Sequence, residues 1–406
     1  MKAILTAIGT PGDVYPLIGL GLELNARGHD VTLITHGHYS AQVLRAGLKL
    51  EEIGTEAEYL ECLIRNPRIW HPEHGYPEVV RCATSLVPSM YAAISAHIEP
   101  GRTFIVAHYL DFASRLIQEA QGIPVVTVVV PPMGFQFAYE YLSEPVLVPP
   151  LDILLGSAGR GWNFSPLMTI GLFPPWFASI EPEWPAQTRL TNFPLFDGAS
   201  PVPEDVEAFL DNGSPPIVFM AGPREEMAIS ADPRAFLNSA VDACSRLGRR
   251  GLILASFGEE LEDLPSGLHH APFAPLTQIL PRCIAIVHHG GVGTISCAMT
   301  CGVPQIAVPV AHDQPDNATR MKQLGVGECL SRSEVNGAKL AAVLDSICTS
   351  REVAQRCKRV ADLCHRGDGI GETCDLIESV APLPFQQQVA AAAAGMARVP
   401  GGSGCS

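Results

Sequence analysis

KAILTAIGTPGDVYPLIGLGLELNARGHDVTLIT, residues 2–35, is the stretch that decides the fold. The apolar run KAILTAIG reads as a buried strand, and GTPGD as the loop that follows it. Leu17, Leu20 and Leu24 then recur at helical spacing until Gly28 ends the helix. DVTLIT is the next strand. Strand, loop, helix and strand in that order form a βαβ unit, and such units build a parallel sheet covered by helices. Residues 104–130, FIVAHYLDFASRLIQEAQGIPVVTVVV, repeat the plan with Gly122-Ile123-Pro124 as the turn before the second strand.

Further along, the character changes between Met133 and Pro203. Prolines and aromatics crowd residues 174–203, PPWFASIEPEWPAQTRLTNFPLFDGASPVP, as at a domain border with a long connection. A second α/β series opens at PPIVFMAG (215–222), and RGLILASF, CIAIVHH and PQIAVPV are its further strands. A chain of 406 residues exceeds what one core normally serves. The expected division is an N-terminal domain over 1–200, a C-terminal domain over 214–385, and a low-complexity, disordered tail over 386–406.

Composition narrows the function. Hydrophobic residues make up 47% and charged residues 17%, as in a well-folded globular protein. A net charge of -15 argues against nucleic acid as a partner and gives no polybasic attraction to anionic lipid. Twelve cysteines are scattered without a C-x-x-C pair, so no metal is expected and the thiols are expected to be reduced. The start, MKAILTAIG, is too short for a signal peptide's apolar core, and no apolar stretch reaches membrane-spanning length. A cytoplasmic location without a transmembrane span follows as the expectation.

Three loops carry unusual chemistry where ligands bind in open parallel sheets, at the carboxyl ends of strands. HHGGVGT (288–294) follows a strand and opens a helix; its glycines let phosphate oxygens reach backbone N–H groups, and the helix N-terminus favours negative charge. A histidine and a threonine add donors, so a diphosphate suits the loop, as does a plain tight turn. A dinucleotide site fails on context: Gly19 and Gly21 lie inside the first helix, and the second strand ends without an acid for a ribose. In PVAHDQPDN (309–317), Asp313 and Gln314 suit sugar hydroxyls, or else a solvated loop with Asn317 as a helix cap. In HAPFAPLTQILPR (270–282), Phe273 offers a ring face to a planar base, or else packs in the core.

Their order resembles the nucleotide-sugar signature of the inverting, metal-independent family 1 glycosyltransferases. It runs aromatic, proline turn, strand, HHGGVGT, helix, Gly-x-Pro-Gln, then Asp-Gln-x-x-Asn-Ala. The resemblance spans about residues 216–330. It returns in GTPGDVYPLIGLGLELNARGHDVTLIT, which looks like the start of the sterol, glycopeptide-antibiotic and rhamnolipid glycosyltransferases. It implies the α/β GT-B fold, with two Rossmann-like doubly wound parallel-sheet domains facing across a cleft. It implies no cofactor, only a nucleotide-sugar co-substrate, a UDP- or dTDP-sugar. His289, Gly291, Gly293 and Thr294 would hold the diphosphate, with Gly222 facing it. Phe273 would stack on the base beside Ala274 backbone contacts, and Asp313 and Gln314 would hold the sugar. Two departures stand out: Pro223 replaces the usual serine, and Leu276 the usual glutamine or histidine.

Transfer to a hydroxyl needs a base, and Asp13 in the first loop is the candidate, unless it only caps the helix. Plant relatives pair a histidine in that loop with a later aspartate; here the pair looks exchanged, with His108 beside Asp13. Asp111 is a competing partner, and His108 satisfying backbone groups is the bland alternative. The expected activity is hexosyl transfer to a hydrophobic small molecule or lipid, the latter implying peripheral membrane contact. Trp70, Phe135, Phe137, Tyr139 and Trp162 are candidates for the acceptor site or for the core. A GT-B sugar-nucleotide epimerase and a non-catalytic sugar-nucleotide binder are the alternatives. Residues 50–100 match nothing recognisable.

Overall fold

The computed structural model describes every residue except 65, 67, 72–73, 141–145, 149–152, 156–160, 199, 223–232, 256–263 and 382–406. The chain forms two compact units. One comprises Met1–Glu56, Val80–Pro194 and Gly369–Ser406, the other Ala57–Val79 and Leu195–Asp368.

The strands of the first unit are, in chain order, β1 (Lys2–Thr6), β2 (Asp30–His36), β3 (Lys49–Ile53), β4 (Thr103–His108) and β5 (Val125–Val129). A small antiparallel pair follows, β6 (Val146–Val148) and β7 (Ile153–Leu155), then β8 (Met168–Gly171) and β9 (Thr188–Leu190). The main sheet has seven strands in the order β3-β2-β1-β4-β5-β8-β9, and every pairing is parallel. Parallel strands are covered on both faces, so β4 and β5 are buried throughout and read as near-continuous apolar runs, with Thr103, His108 and Thr127 the polar exceptions. β1 pairs with β2 on one side and β4 on the other. This is the switch point, where crossovers leave in opposite directions and the strand ends open. It brings together Asp13, which lies in the first turn of the helix after β1 and not in the loop where the sequence put it, and the end of β4, which is His108.

The first helix runs Pro11–Ala26 and stops before Gly28, at φ 88°. A Cβ on Gly21 would come within 2.9 Å of Leu48 Cδ1, so this glycine lets the helix pack closely and has no phosphate to admit.

The second unit holds β10 (Ile217–Gly222), β11 (Gly251–Ala255), β12 (Leu268–Ala271), β13 (Ala285–His288), β14 (Gln305–Ala307) and β15 (Gly327–Cys329). They form a parallel sheet in the order β12-β11-β10-β13-β14-β15. Ile217 and Phe219 enter one core cluster and Val218 the other, as alternation across a doubly covered sheet requires. The switch point lies between β10 and β13, so Gly222 ends beside the strand leading into HHGGVGT.

Two segments cross the expected division at residues 200–214. Residues 57–79 belong to the second unit. The last helix, Gly369–Val380, belongs to the first. There Arg27 pairs with Asp375 at 2.6 Å and Glu378 at 2.7 Å, and Thr191 and Thr373 hydroxyls meet at 3.0 Å. The tail expected to be disordered, 386–406, lies outside the described residues. Among the described residues nine cysteines are free thiols. No single described helix is long and apolar enough to cross a membrane; Gly75–Ser85 and Val87–His97 reach that length only together, across a 45° bend.

Candidate active site

In the first unit, Thr10 caps the helix Pro11–Ala26 and Asp13 completes its capping box. Asp13 Oδ2 accepts from the Thr10 amide at 2.8 Å and the Thr10 hydroxyl at 3.0 Å. Gly9 makes room for that oxygen: it sits at φ 128°, and a Cβ there would lie 2.3 Å from Asp13 Oδ2. The other oxygen, Oδ1, lies 3.3 Å from His108 Nε2, with the imidazole fully buried and the carboxylate 20% exposed. His108 Nδ1 accepts from the Leu110 amide at 3.4 Å, which leaves the proton on Nε2, facing Asp13. The two atoms are close but not aligned as a hydrogen bond, and Nε2 has no other partner. Asp111, the competing partner, is committed elsewhere. It caps the helix Phe112–Gln121 through the Ala113 and Ser114 amides and accepts from the Thr6 hydroxyl at 2.7 Å.

In the second unit, His288 is fully buried at the end of β13. Its Nδ1 accepts from the Gly290 amide at 3.0 Å, and its Nε2 donates to Gln305 Oε1 at 2.9 Å. Both contacts require the same neutral tautomer, and burial pushes its pKa down to about 3. This histidine shapes the turn. His289 is partly buried, and desolvation lowers its pKa to about 4. Its Nδ1 has no hydrogen-bond partner, and its Nε2 lies 2.7 Å from where a Cβ on Gly291 would stand. Gly291 is therefore the space the imidazole occupies. It is also the N-cap of the helix Val292–Thr300 and offers no capping side chain. Gly293 is exposed with open space at its Cβ position, and Thr294 is half-buried in the same turn. Bare backbone N–H groups, a hydroxyl and a neutral imidazole converge there, an arrangement suited to an anion.

The loop after β14 sits against this turn. Gly290, at φ 95°, would bring a Cβ to 3.2 Å from the Gln314 carbonyl oxygen. Asn317 Nδ2 donates to the Gly290 carbonyl at 3.3 Å and to Asp313 Oδ2 at 2.5 Å. Asn317 is fully buried, and Asp313, not Asn317, is the N-cap of the helix Gln314–Leu324. Gln314 Oε1 accepts from the Val310 and Ala311 amides at 2.9 and 3.3 Å, so its amide nitrogen is the atom left for a ligand.

Phe273 is not a core residue: it is 42% exposed, whereas Ala274 beside it is buried and has only backbone to offer. Asp197 Oδ2 anchors this turn by accepting from the Thr277 amide at 2.6 Å. Gly222 closes β10, and the loop it opens, including Pro223, lies outside the described residues. Of the aromatics proposed for an acceptor, Phe135 and Phe137 are core, Phe135 stacking on Trp184 at 4.1 Å. Trp162 lies against Arg115 at 5.4 Å and donates to Glu119 at 2.7 Å. The side chain of Tyr139 lies outside the described residues.

Thr10, Gly9 and Asp197 were invisible as site residues in the sequence, because each acts by holding another group, and Gln305 stood in the Gly-x-Pro-Gln element with no sign that it would hold His288. Asn317 had a signal, its fixed spacing after Asp313, but no sign of which carbonyl it would reach.

Two family models match the chain. The glycosyltransferase family 28 N-terminal domain matches residues 3–133, and the erythromycin biosynthesis protein CIII-like C-terminal domain matches residues 251–365. The O-mycaminosyltylonolide 6-deoxyallosyltransferase of Streptomyces fradiae is 28% identical over 93% of this chain and 97% of its own length. A sterol 3-beta-glucosyltransferase of Arabidopsis thaliana, UGT80A2, is 25% identical over 80% of this chain and 57% of its own length. Among solved structures, the glycosyltransferase VinC in complex with DTDP superimposes with a TM-score of 0.72 at 19% identity, covering 94% of this chain and 99% of VinC. Sheet order and both family models agree on a family 1 glycosyltransferase of GT-B fold.

Proposed function

We propose that the protein is an inverting, metal-independent hexosyltransferase. It moves a hexose from a UDP- or dTDP-sugar to a hydroxyl of a hydrophobic small molecule or lipid in the cytoplasm. The observation that carries this is the divided carboxylate of Asp13: Oδ2 is fixed by Thr10, while Oδ1 is left beside His108. An oxygen held in place and open to water suits proton abstraction from an acceptor hydroxyl.

In the proposed step the acceptor oxygen attacks the anomeric carbon, and its proton passes to Asp13 Oδ1. The bond from that carbon to the diphosphate oxygen breaks, and the diphosphate keeps the electron pair. The amides at the start of Val292–Thr300, the Thr294 hydroxyl and His289 stabilise the departing charge, the work a divalent cation does elsewhere. The bound phosphates raise the pKa of His289 and favour donation from its ring. Asp313 and the Gln314 amide orient the hexose, and Phe273 stacks on the base, with Ala274 contributing backbone. The DTDP complex of VinC and the O-mycaminosyltylonolide in the name of the Streptomyces relative support a nucleotide-sugar donor and a natural-product acceptor.

The test is a donor and acceptor matrix: UDP-glucose and dTDP-glucose against phenolic, macrolide and sterol alcohols, read by released diphosphate and product mass. Acceptor-dependent release with an inverted anomeric centre is expected. Release that ignores the acceptor, or retention of configuration, would contradict the proposal.

A further inference from the structure

His312 is the only described residue other than glycine at positive φ, 59°. A side chain with a Cβ adopts that conformation at a cost, and it persists only where the surroundings impose it. The residue stands immediately before Asp313 and Gln314. Its surroundings come from residues 57–79, the segment that follows β3 in sequence yet packs in the second unit. The Trp70 ring meets the His312 imidazole edge-on, with centroids 5.1 Å apart and planes at 63°. Trp70 is itself fixed, being packed against the core cluster that includes Val308, Val310 and Ala311, the residues leading into His312. Gly75 closes the clamp. A Cβ there would lie 2.2 Å from the Ile69 carbonyl oxygen and 3.0 Å from His312 Cε1.

We propose that Trp70 is a positioning residue for the donor hexose. Together with Gly75 it holds His312 in the left-handed conformation that presents the Asp313 carboxylate and the Gln314 amide to the sugar. Gly290, Asn317 and the Val310 and Ala311 amides fix those two side chains from the other side. Discrimination between hexoses then depends on a segment from the N-terminal half of the sequence. The inference rests on the assignment of Asp313 and Gln314 to the sugar.

Calorimetry on the full chain with UDP-glucose, dTDP-glucose, UDP and dTDP tests it. Trp70→Ala is expected to weaken the preferred sugar nucleotide by ~10-fold and its free diphosphate by less than ~2-fold. Trp70→Phe is expected to keep most of the affinity. Trp70→Leu, which preserves burial and loses the aromatic edge, repeats the measurement if the alanine variant does not fold. His312→Gly takes the left-handed conformation unaided, so in that background Trp70→Ala is expected to cost less than ~2-fold. Equal weakening of both ligands, no weakening, or an undiminished loss in the His312→Gly background would overturn the proposal. Asp313→Asn separates the two levels. If it spares the sugar nucleotide, or if the native protein binds neither sugar nucleotide better than its diphosphate, the sugar assignment itself fails. If it weakens the sugar nucleotide selectively while Trp70→Ala does not, only the role of Trp70 fails.

Discussion

The loop after β1 and the loops after β13 and β14 stand at or beside equivalent switch points, yet they are built from opposite materials. In the first unit a carboxylate and an imidazole face each other at 3.3 Å. In the second, the imidazoles of His288 and His289 are held neutral by burial, and the remaining groups are largely backbone. Proton removal needs an ionisable atom with access to water. Anion binding does not need a protein charge, because fixed N–H dipoles serve and the ligand brings its own charge. Substitutions and pH should therefore act differently on the two sides.

The largest effect on the donor side is expected at His289. His289→Ala is expected to lower turnover by ~10²-fold through lost leaving-group stabilisation. His288→Ala should reduce turnover less and lower the thermal midpoint more, because it strands Gln305 and the Gly290 amide. Steady-state rates and melting curves on both variants check this, and equal rate losses would dissolve the distinction between the adjacent histidines.

Next in size is the sugar loop. Gln314→Ala or Asp313→Ala is expected to weaken a sugar nucleotide by ~10-fold while free diphosphate loses little. Calorimetry giving the same loss for both ligands would place these residues in the structure of the loop instead.

On the first unit, His108→Ala is expected to slow transfer several-fold and change the pH–rate profile while leaving donor affinity unchanged. An unaltered profile would mean that the imidazole only fills space beside Asp13.

The smallest effect is on stability. The depressed pKa values of His288 and His289 mean that the unfolded chain takes up protons before the folded one does. Stability supplied by their neutral forms is present above about pH 6.5 and is lost as pH falls toward 4 and then 3. His289→Gln should make melting temperature depend less steeply on pH between 7 and 5. An identical slope would show that His289 is not held neutral.

Much of this was legible in the sequence, for local reasons. Leu17, Leu20 and Leu24 announced the first helix, and the glycines of HHGGVGT announced a close backbone approach before a helix. Strand order followed less directly, although the βαβ pattern made a parallel sheet the expectation. What stayed hidden depends on contacts distant in sequence. Trp70 and Ile69 look like any apolar pair, and nothing near them says that they pack beside His312. The helix Gly369–Val380 returns to Arg27, 348 residues before its partner Asp375, and to Thr191, 182 residues before its partner Thr373, and no local pattern announces either contact. Capping hid the site from the other direction. Asp13 looked like either a cap or a base, and the structure gives one oxygen to the cap and turns the other toward His108.

The central claim is that Asp13 serves transfer and not donor binding, and Asp13→Asn measured both ways tests it most directly. The amide keeps the shape, and its oxygen can still accept from Thr10, but it has no basic site for the acceptor proton. Turnover is predicted to fall by ~10²–10⁴ while calorimetry gives the native affinity for the sugar nucleotide. Near-native turnover, or a parallel loss of donor affinity, would contradict the account.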